Sequence, residues 1–434
     1  MNFFKKTLYA TLAASLLSCP LSAKAMKTPE PASVETAAMA GMDVVVNSDF
    51  ELLTNPALME YRGTKFSVLG LNLKVNDLIG ALDAVNGYKT FFTGLESVSD
   101  ERKLDYVSEF VRSSERRSVD IGISLMPSLQ LSTSVGTFAI AGYAADESCV
   151  VANPKGFQGL VNLSDAIEGA DVQSFLGGRE FVIDKPLQIF SVSDLGASVG
   201  YAKGFSISNI VEVSAGVNVR VFERVMVDYA PSSKISVKVD QSDLDAIAGG
   251  EDVKSVLMEK ASGLENMFGS VPELVTGVGF ALDFGLVLSK RFWVMDAMLG
   301  ASLRNAPANS ISYSNGTSAM DGLQYDAGLS LRPMSTFPVF KGLLVGAEMH
   351  GVEGLQTYHM GLSWKFGNDL SVTPKVGFQV GKINALGNFS DVNIFTTGFS
   401  VDLKAMKLAA SYGLGTDGRS QFGFGLDFGY EWGK

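Results

Sequence analysis

Ligand-bearing side chains are scarce in this sequence. The 434 residues hold two histidines, His350 and His359, and two cysteines, Cys19 and Cys149. So few exclude a disulfide framework and any multi-cysteine metal centre. A basic excess is missing as well: the net charge is −11, the wrong sign for a nucleic-acid partner, which would favour a basic patch. Long apolar runs are also lacking. Hydrophobic residues make up 46% of the chain, yet beyond the N-terminus no stretch is long enough to cross a bilayer as a helix. High apolarity without such a run is what alternating strands produce, since half of each strand is polar.

The N-terminus reads as an export signal over residues 1–25. Lys5 and Lys6 form its charged start, Thr7 to Ser18 its short apolar stretch, and Ala23-Lys24-Ala25 its small-residue cleavage site. Cys19 follows Leu16-Leu17-Ser18, a loose lipoprotein-like box. The Ala23-Lys24-Ala25 site is better formed, and cleavage there leaves Cys149 alone.

What the chain has instead is alternation. It finishes QFGFGLDFGYEWGK, where Phe422, Phe424, Leu426, Phe428, Tyr430 and Trp432 alternate with small or charged residues. A period of two is the geometry of an extended strand. Residues 279–289 repeat the phrase, and in 357–366 Tyr358, Met360, Leu362, Trp364 and Phe366 oppose Thr357, His359, Gly361, Ser363 and Lys365. Such ribbons fall near 65–75, 119–133, 136–145, 193–203, 210–228, 276–289, 292–303, 322–332, 340–350, 357–366, 371–382, 393–404, 406–415 and 419–432. Many have the length of a tilted membrane-crossing strand, and aromatics gather toward their ends as an interfacial girdle requires. Long connections at 76–118, 146–192, 229–275 and 304–321, then shorter ones at 351–356, 383–392 and 416–418, alternate with tight turns near Ser134-Val135, Ser289-Arg291, Gly367-Asp369 and Ala405. The expected fold is all-β: a transmembrane antiparallel barrel of about 14 strands over 64–434, with an N-terminal plug over 26–63 and helical extracellular loops.

Those loop helices are expected within insertions at about 77–116 and 243–270, where Leu104, Val107, Phe110, Val256, Leu257 and Leu264 recur at helical spacing. The lumen-facing positions include Asp283, Asp326, Glu348, His350, His359, Asp402 and Asp427, against cations such as Arg220, Arg304 and Lys375. Charges buried inside a barrel must find partners or water, so these read as cross-strand ion pairs or as a polar lining.

No motif supports catalysis. GLGTDG at 413–418 has dinucleotide-loop spacing but sits between two ribbons, as a hairpin turn. GASVG at 196–200 has the spacing of a nucleophile elbow, but the alternation runs straight through Ser198. His350 and His359 could together hold a metal or relay a proton; histidines at a barrel rim more commonly serve as plain hydrogen-bonding partners, so neither metal nor cofactor is expected.

Before the first ribbon lie Ala40-Gly41-Met42 and Asn55-Pro56-Ala57-Leu58, the latter suited to a tight reversal. With these motifs the chain resembles the FadL-type (OMPP1/FadL/TodX) outer-membrane transporters, whose relatives include PorV-like and TraF-like barrels. The resemblance implies a location in the outer membrane of a diderm bacterium and folding by its barrel assembly machinery. It implies a hatch containing Asn55, Pro56, Ala57 and Leu58. It also implies capture of hydrophobic molecules, typically long-chain fatty acids, on the loop helices, and their release through the wall into membrane lipid. A non-transporting secretion, assembly or surface-binding platform is the alternative. Trp432-Gly433-Lys434 departs from the terminal aromatic usual in such barrels and points to a shifted assembly signal.

Overall fold

Strands surrounded by lipid or by a packed interior must pair every backbone N–H and C=O, which a closed cylinder achieves without leaving an edge. The computed structural model describes residues 33–432, apart from 47, 49, 78–82, 84–85, 88, 92, 95–96, 98–99, 115–116, 170–174, 208–210, 261–273, 293–294, 307–309, 317, 321, 334–339, 341, 353–354, 368–369, 386–387 and 417. The expected signal peptide lies outside these. In chain order the strands are β1 (Thr64–Asn76), β2 (Arg117–Leu125), β3 (Ser128–Thr133), β4 (Gly136–Ala152), β5 (Arg179–Asp184), β6 (Leu187–Ser206), β7 (Val211–Tyr229), β8 (Ser232–Val237), β9 (Leu274–Arg291) and β10 (Met295–Ala306). There follow β11 (Ser310–Ser312), β12 (Ser318–Met320), β13 (Gln324–Pro333), β14 (Leu343–Val352), β15 (Leu355–Trp364), β16 (Ser371–Ala385), β17 (Asn388–Asp402), β18 (Met406–Gly415) and β19 (Ser420–Trp432).

β1 pairs with β19 and closes one antiparallel sheet of 15 strands. β2 and β3 both lie between β1 and β4, as successive halves of one stave, so the wall is a meander of 14 staves. Each expected ribbon falls on a stave, with three adjustments. The 119–133 ribbon is broken at Met126-Pro127. β9 continues to Arg291, through the turn expected at Ser289-Arg291. The connections expected at 351–356 and 383–392 are tight hairpins, because cross-strand pairing runs on to Val352↔Leu355 and Ala385↔Asn388.

The outer face is apolar and open: Leu195 is 66% exposed, Met360 60% and Phe395 55%. A patch that encircles the molecule has no place in water and suits acyl chains. Trp364 against Phe366 (ring centroids 4.9 Å apart) and Tyr430 against Trp432 (5.7 Å) lie at the short-turn rim, where girdle aromatics belong.

Over the long-loop rim sits a cap with its own core. Helices Asp100–Ser113, Gln158–Glu168 and Val253–Lys260 pack with the two-stranded β5–β8 sheet around Phe157, Leu160, Leu163, Ile183, Val237 and Leu257. A further helix, Gln241–Ala248, opens on a capping box formed by Asp240 and Asp243. The helix at Gln158–Glu168 and the β5–β8 sheet fall in connections for which no secondary structure is expected from the alternation. The spacing Leu160, Leu163, Ile167 carries the signal for that helix.

Candidate functional site

The hatch is short on regular structure: two single-turn helices, Val34–Ala37 and Glu51–Thr54, and a 3-10 segment, Pro56–Tyr61. Its path can be followed from the wall residues it touches. Val34 N–H donates to Asn72 on β1 (2.8 Å). The Thr396 hydroxyl on β17 accepts from Ala40 N–H (3.0 Å) and donates to Ala38 O (3.1 Å). His359 on β15 donates from Nδ1 to Ala40 O. On β14, Glu348 accepts three successive backbone donors, Asp43 N–H at 2.7 Å on Oε2, and Val44 and Val45 N–H at 3.0 and 2.9 Å on Oε1. Ser214 on β7 donates to Ala57 O (2.9 Å), and Gln130 on β3 donates to both Met59 O and Gly63 O (3.1 Å each). The segment thus runs once around the inside of the cylinder, from the seam between β19 and β1 back to β1.

A track of glycines makes room for this hoop. A Cβ on Gly216 would lie 2.4 Å from Pro56 C, on Gly285 2.1 Å from Asn55 Oδ1, on Gly300 2.6 Å from Val44 O, and on Gly377 2.4 Å from Ala40 N. Gly346 and Gly361 likewise face Met42, and Gly425 faces Val34. Inward glycine at alternate strand positions is visible in the sequence; what it accommodates is not.

The two hatch motifs take their chemistry from this setting. Asn55 caps the 3-10 segment by accepting from Ala57 N–H (3.2 Å), while its Nδ2 donates to Val44 O (2.8 Å) and ties the two arcs of the hoop together. Pro56 follows as first helical residue, where its missing donor costs nothing. Ala57 and Leu58 are buried against Val287. Ala40 and Gly41 turn through positive φ, 61° and 90°, which reverses the chain toward Glu348.

The two histidines meet edge to face, ring centroids 4.3 Å apart, but do not converge on one point. His359 uses Nδ1 on the hatch and holds Nε2 2.7 Å from Thr357 Oγ1. His350 stands between Asp326 Oδ1 (3.1 Å from Nδ1) and Glu348 Oε2 (3.2 Å from Nε2). The residue brought beside them is Asp43 of the hatch, which no sequence pattern singles out. Burial pushes its carboxyl up to about 7, against the pull of His350 and Arg304.

Asp283, Asp326, Glu348, His359 and Asp427 are buried, and His350 nearly so. Most of the carboxylates are paired across strands: Arg220–Asp283 at 2.7 Å, Arg304–Asp326 at 3.0 Å and Lys65–Asp427 at 3.6 Å. Asp402 sits at the short-turn rim and accepts from Lys404 N–H (3.0 Å). Ser198 is a buried wall residue bonded to Asn218 Oδ1 (2.5 Å) within straight β6, not on an elbow. The 413–418 stretch ends β18 at Gly415 and leads into β19, Gly418 N–H donating to Gly415 O (3.0 Å), while Asp417 lies outside the described residues. Of the expected loop residues, Val107, Val256 and Leu257 are buried in the cap, and half-buried Phe110 stacks on Phe91 at 4.1 Å. That packing turns them toward the cap's own core rather than an open groove. The side chain of Leu104 and all of Leu264 lie outside the described residues.

Above the hatch one side of the interior carries an apolar cluster threaded by two buried ion pairs, Arg220–Asp283 and Arg224–Asp194, with the Arg224 guanidinium 5.1 Å over the Phe222 ring. Tyr143, Val192, Phe222, Met226 and Val275 of the wall form one cluster with Phe50, Leu52, Leu53 and Met59 of the hatch and with Ile311 and Tyr313, which belong to a loop carrying the small β11–β12 hairpin. The cluster reaches Met126, at the break between β2 and β3. There the neighbouring stave is irregular too: the β1–β19 register shifts between Ser67 and Leu69. Pro127 has no N–H to offer β1, and its carbonyl accepts from Gly142 on β4 (3.1 Å).

No family model and no curated protein matches the chain by sequence. Among solved structures it is similar to the toluene transporter TodX of Pseudomonas putida, at 12% identity and TM-score 0.43 over 93% of this chain and 98% of that one. It is also similar to the monoaromatic hydrocarbon channel CymD, at 10% identity and TM-score 0.40 over 93% and 98%. The translocator domain of the autotransporter NalP from Neisseria meningitidis follows at 6% identity and TM-score 0.35 over 85% and 88%. The barrel class of this protein rests on its own strand pairing.

Proposed function

We propose that the protein carries hydrophobic small molecules, with long-chain fatty acids as the substrate class, across the outer membrane of a diderm bacterium. The solute is captured at the cap, passes the apolar side of the interior, and leaves sideways into membrane lipid once the hatch side chains shift. One observation carries this reading: the inner apolar cluster runs from below the cap to Met126, where two adjacent staves are irregular together. Asp194 and Asp283, the inward carboxylates on this side, are each paired with a buried arginine, so the path past them is not an acidic conduit.

Two measurements test it together. Mass spectrometry of what extracts with the native protein should find a long-chain amphiphile. A deletion strain should regain uptake of a labelled long-chain fatty acid with the wild type but not with Met226→Glu, which puts a charge into the apolar interior. No uptake defect on deletion, together with a stably co-purifying protein, would replace transport with the platform reading. That second reading draws on the cap, whose separate core makes it a ready surface for a partner.

A further inference from the structure

We infer that Asp43, Glu348 and His350 form a divalent-metal site that clasps the hatch to the barrel wall. The inference does not depend on transport. Glu348 and His350 stand two residues apart on β14 and so share its inner face. Asp43 comes from the hatch, and one ligand atom from each of the three lies within 4.8 Å of the others. Bonds of about 2.0–2.2 Å hold ligand atoms roughly 3–4 Å apart, so the trio is close to the spacing a bound ion imposes. His350 Nε2 and Glu348 Oε2 stand 3.2 Å apart in a hydrogen bond that a bound ion would replace.

The surroundings resemble the outer shell of a metal site. His350 Nδ1 lies 3.1 Å from Asp326 Oδ1, an ion-pair contact without hydrogen-bond geometry that sets a carboxylate behind the ring. Asp326 is itself held by Ser302 Oγ (2.8 Å) and Arg304 (3.0 Å). Glu348 is oriented by the three backbone donors of residues 43–45. Asp43 supplies an independent sign: its Oδ1 is buried without a hydrogen-bond partner. A buried carboxylate oxygen left bare is costly, and a cation among these three groups would satisfy it. Asp43 and His350 keep some exposure, which gives an ion a route in. His359 is a bystander, with both ring nitrogens bonded elsewhere.

One imidazole and two carboxylates suit a first-row divalent ion such as Zn2+ or Mn2+ better than the softer Cu+. Because one ligand is on the hatch and two are on the wall, the site is complete only when the hatch is seated. Binding must therefore stabilise the seated state.

The test uses the full chain purified in detergent, stripped with chelator and titrated with Zn2+ and, separately, Mn2+. The expected result is saturable binding of one ion per chain, with slower proteolysis inside residues 33–63 when the ion is present. Asp43→Asn, which keeps the side-chain volume, should lose both effects while retaining the heat-dependent electrophoretic shift of a folded barrel. His350→Gln should do the same. Absence of saturable binding of either ion, or binding by Asp43→Asn as tight as wild type, would overturn the inference. So would ion-independent proteolysis in the wild type, which would leave a proton as the neutraliser of the cluster.

Discussion

Two structures close this cylinder, and they are built on opposite principles. The cap owns a core: Phe157, Leu160, Leu163, Ile183, Val237 and Leu257 bury one another, and none of them belongs to a lumen cluster. The hatch has only a smaller apolar cluster, Met39, Met42, Val44, Val45 and Val46, and it is completed by Leu344 of the wall. Its backbone is held residue by residue by Asn72, Thr396, His359, Glu348, Ser214 and Gln130 of the wall, and its chain lies on inward glycines. A self-contained core keeps its shape when its neighbours move. A segment anchored along its length to another element, with only single-turn helices of its own, is seated or unseated as a whole. The cap is thus suited to displacement as a unit, and the hatch to a two-state change, which is the property a gate needs.

The sharpest way to break that comparison is to remove the hatch. Deleting residues 26–60 should convert a closed barrel into one that conducts stepwise in planar bilayers, and a wild type that already conducts as an open pore would sink the sealed-hatch description. Next in size is Glu348→Ala in chelator-treated protein. It leaves three hatch donors without their acceptor. At about 1–3 kcal/mol for each orphaned donor, with water recovering part, the seated hatch should lose roughly 3–5 kcal/mol. Hydrogen exchange at Val44 and Val45 reports it directly, and unchanged protection there would show that the anchor lies elsewhere.

The wall is largely legible from the amino-acid order, because its code is local. A residue such as Phe424 or Gly425 declares its face by its parity alone, and fourteen such ribbons separated by alternating long and short gaps admit few folds. The site is much less so. Asp43 acquires meaning only beside Glu348 and His350, more than three hundred positions away, and no local pattern links them. Asn55-Pro56-Ala57 is recognisable as a turn, but its small residues are explained by Gly216 and Gly285, the wall glycines it lies directly against. Pro127 can be read as a strand interruption. That it lies opposite the irregularity at Val68 follows only from the register of β1 with both neighbours. The loop helices are visible from apolar spacing, whereas their partners, and so the inward turn of Val107 and Leu257, are set by the β5–β8 sheet and the helix Gln158–Glu168.

A smaller change probes the glycine track by itself. In Gly377→Ala the new Cβ would fall 2.4 Å from Ala40 N, and the hatch backbone has to yield. Overpacking of this kind costs about 1–3 kcal/mol. Gly122→Ala is the control, since its Cβ would meet nothing nearer than 3.9 Å. Exchange at residues 38–42 should rise in the first variant and stay level in the second. Equal behaviour would mean that the track is strand composition rather than a seat for the hatch.

The least effect on the hatch is expected from the cap. Phe157 is buried and packs tilted against Phe91 at 5.7 Å, with Phe110 beyond it at 6.5 Å. Phe157→Ala should cost the cap about 3–5 kcal/mol, the usual range for emptying a buried aromatic site. If the cap core is separate, that loss stays local. Proteolysis within 153–186 and 230–260 should accelerate, while exchange at Val44 and Val45 and the heat stability of the barrel remain at wild-type values. Coupling would appear as hatch exchange rising in step with cap proteolysis. In that event the small β11–β12 hairpin becomes the connection to examine, because Ile311 and Tyr313 of its loop join the cluster that also holds Phe50 and Leu53 of the hatch.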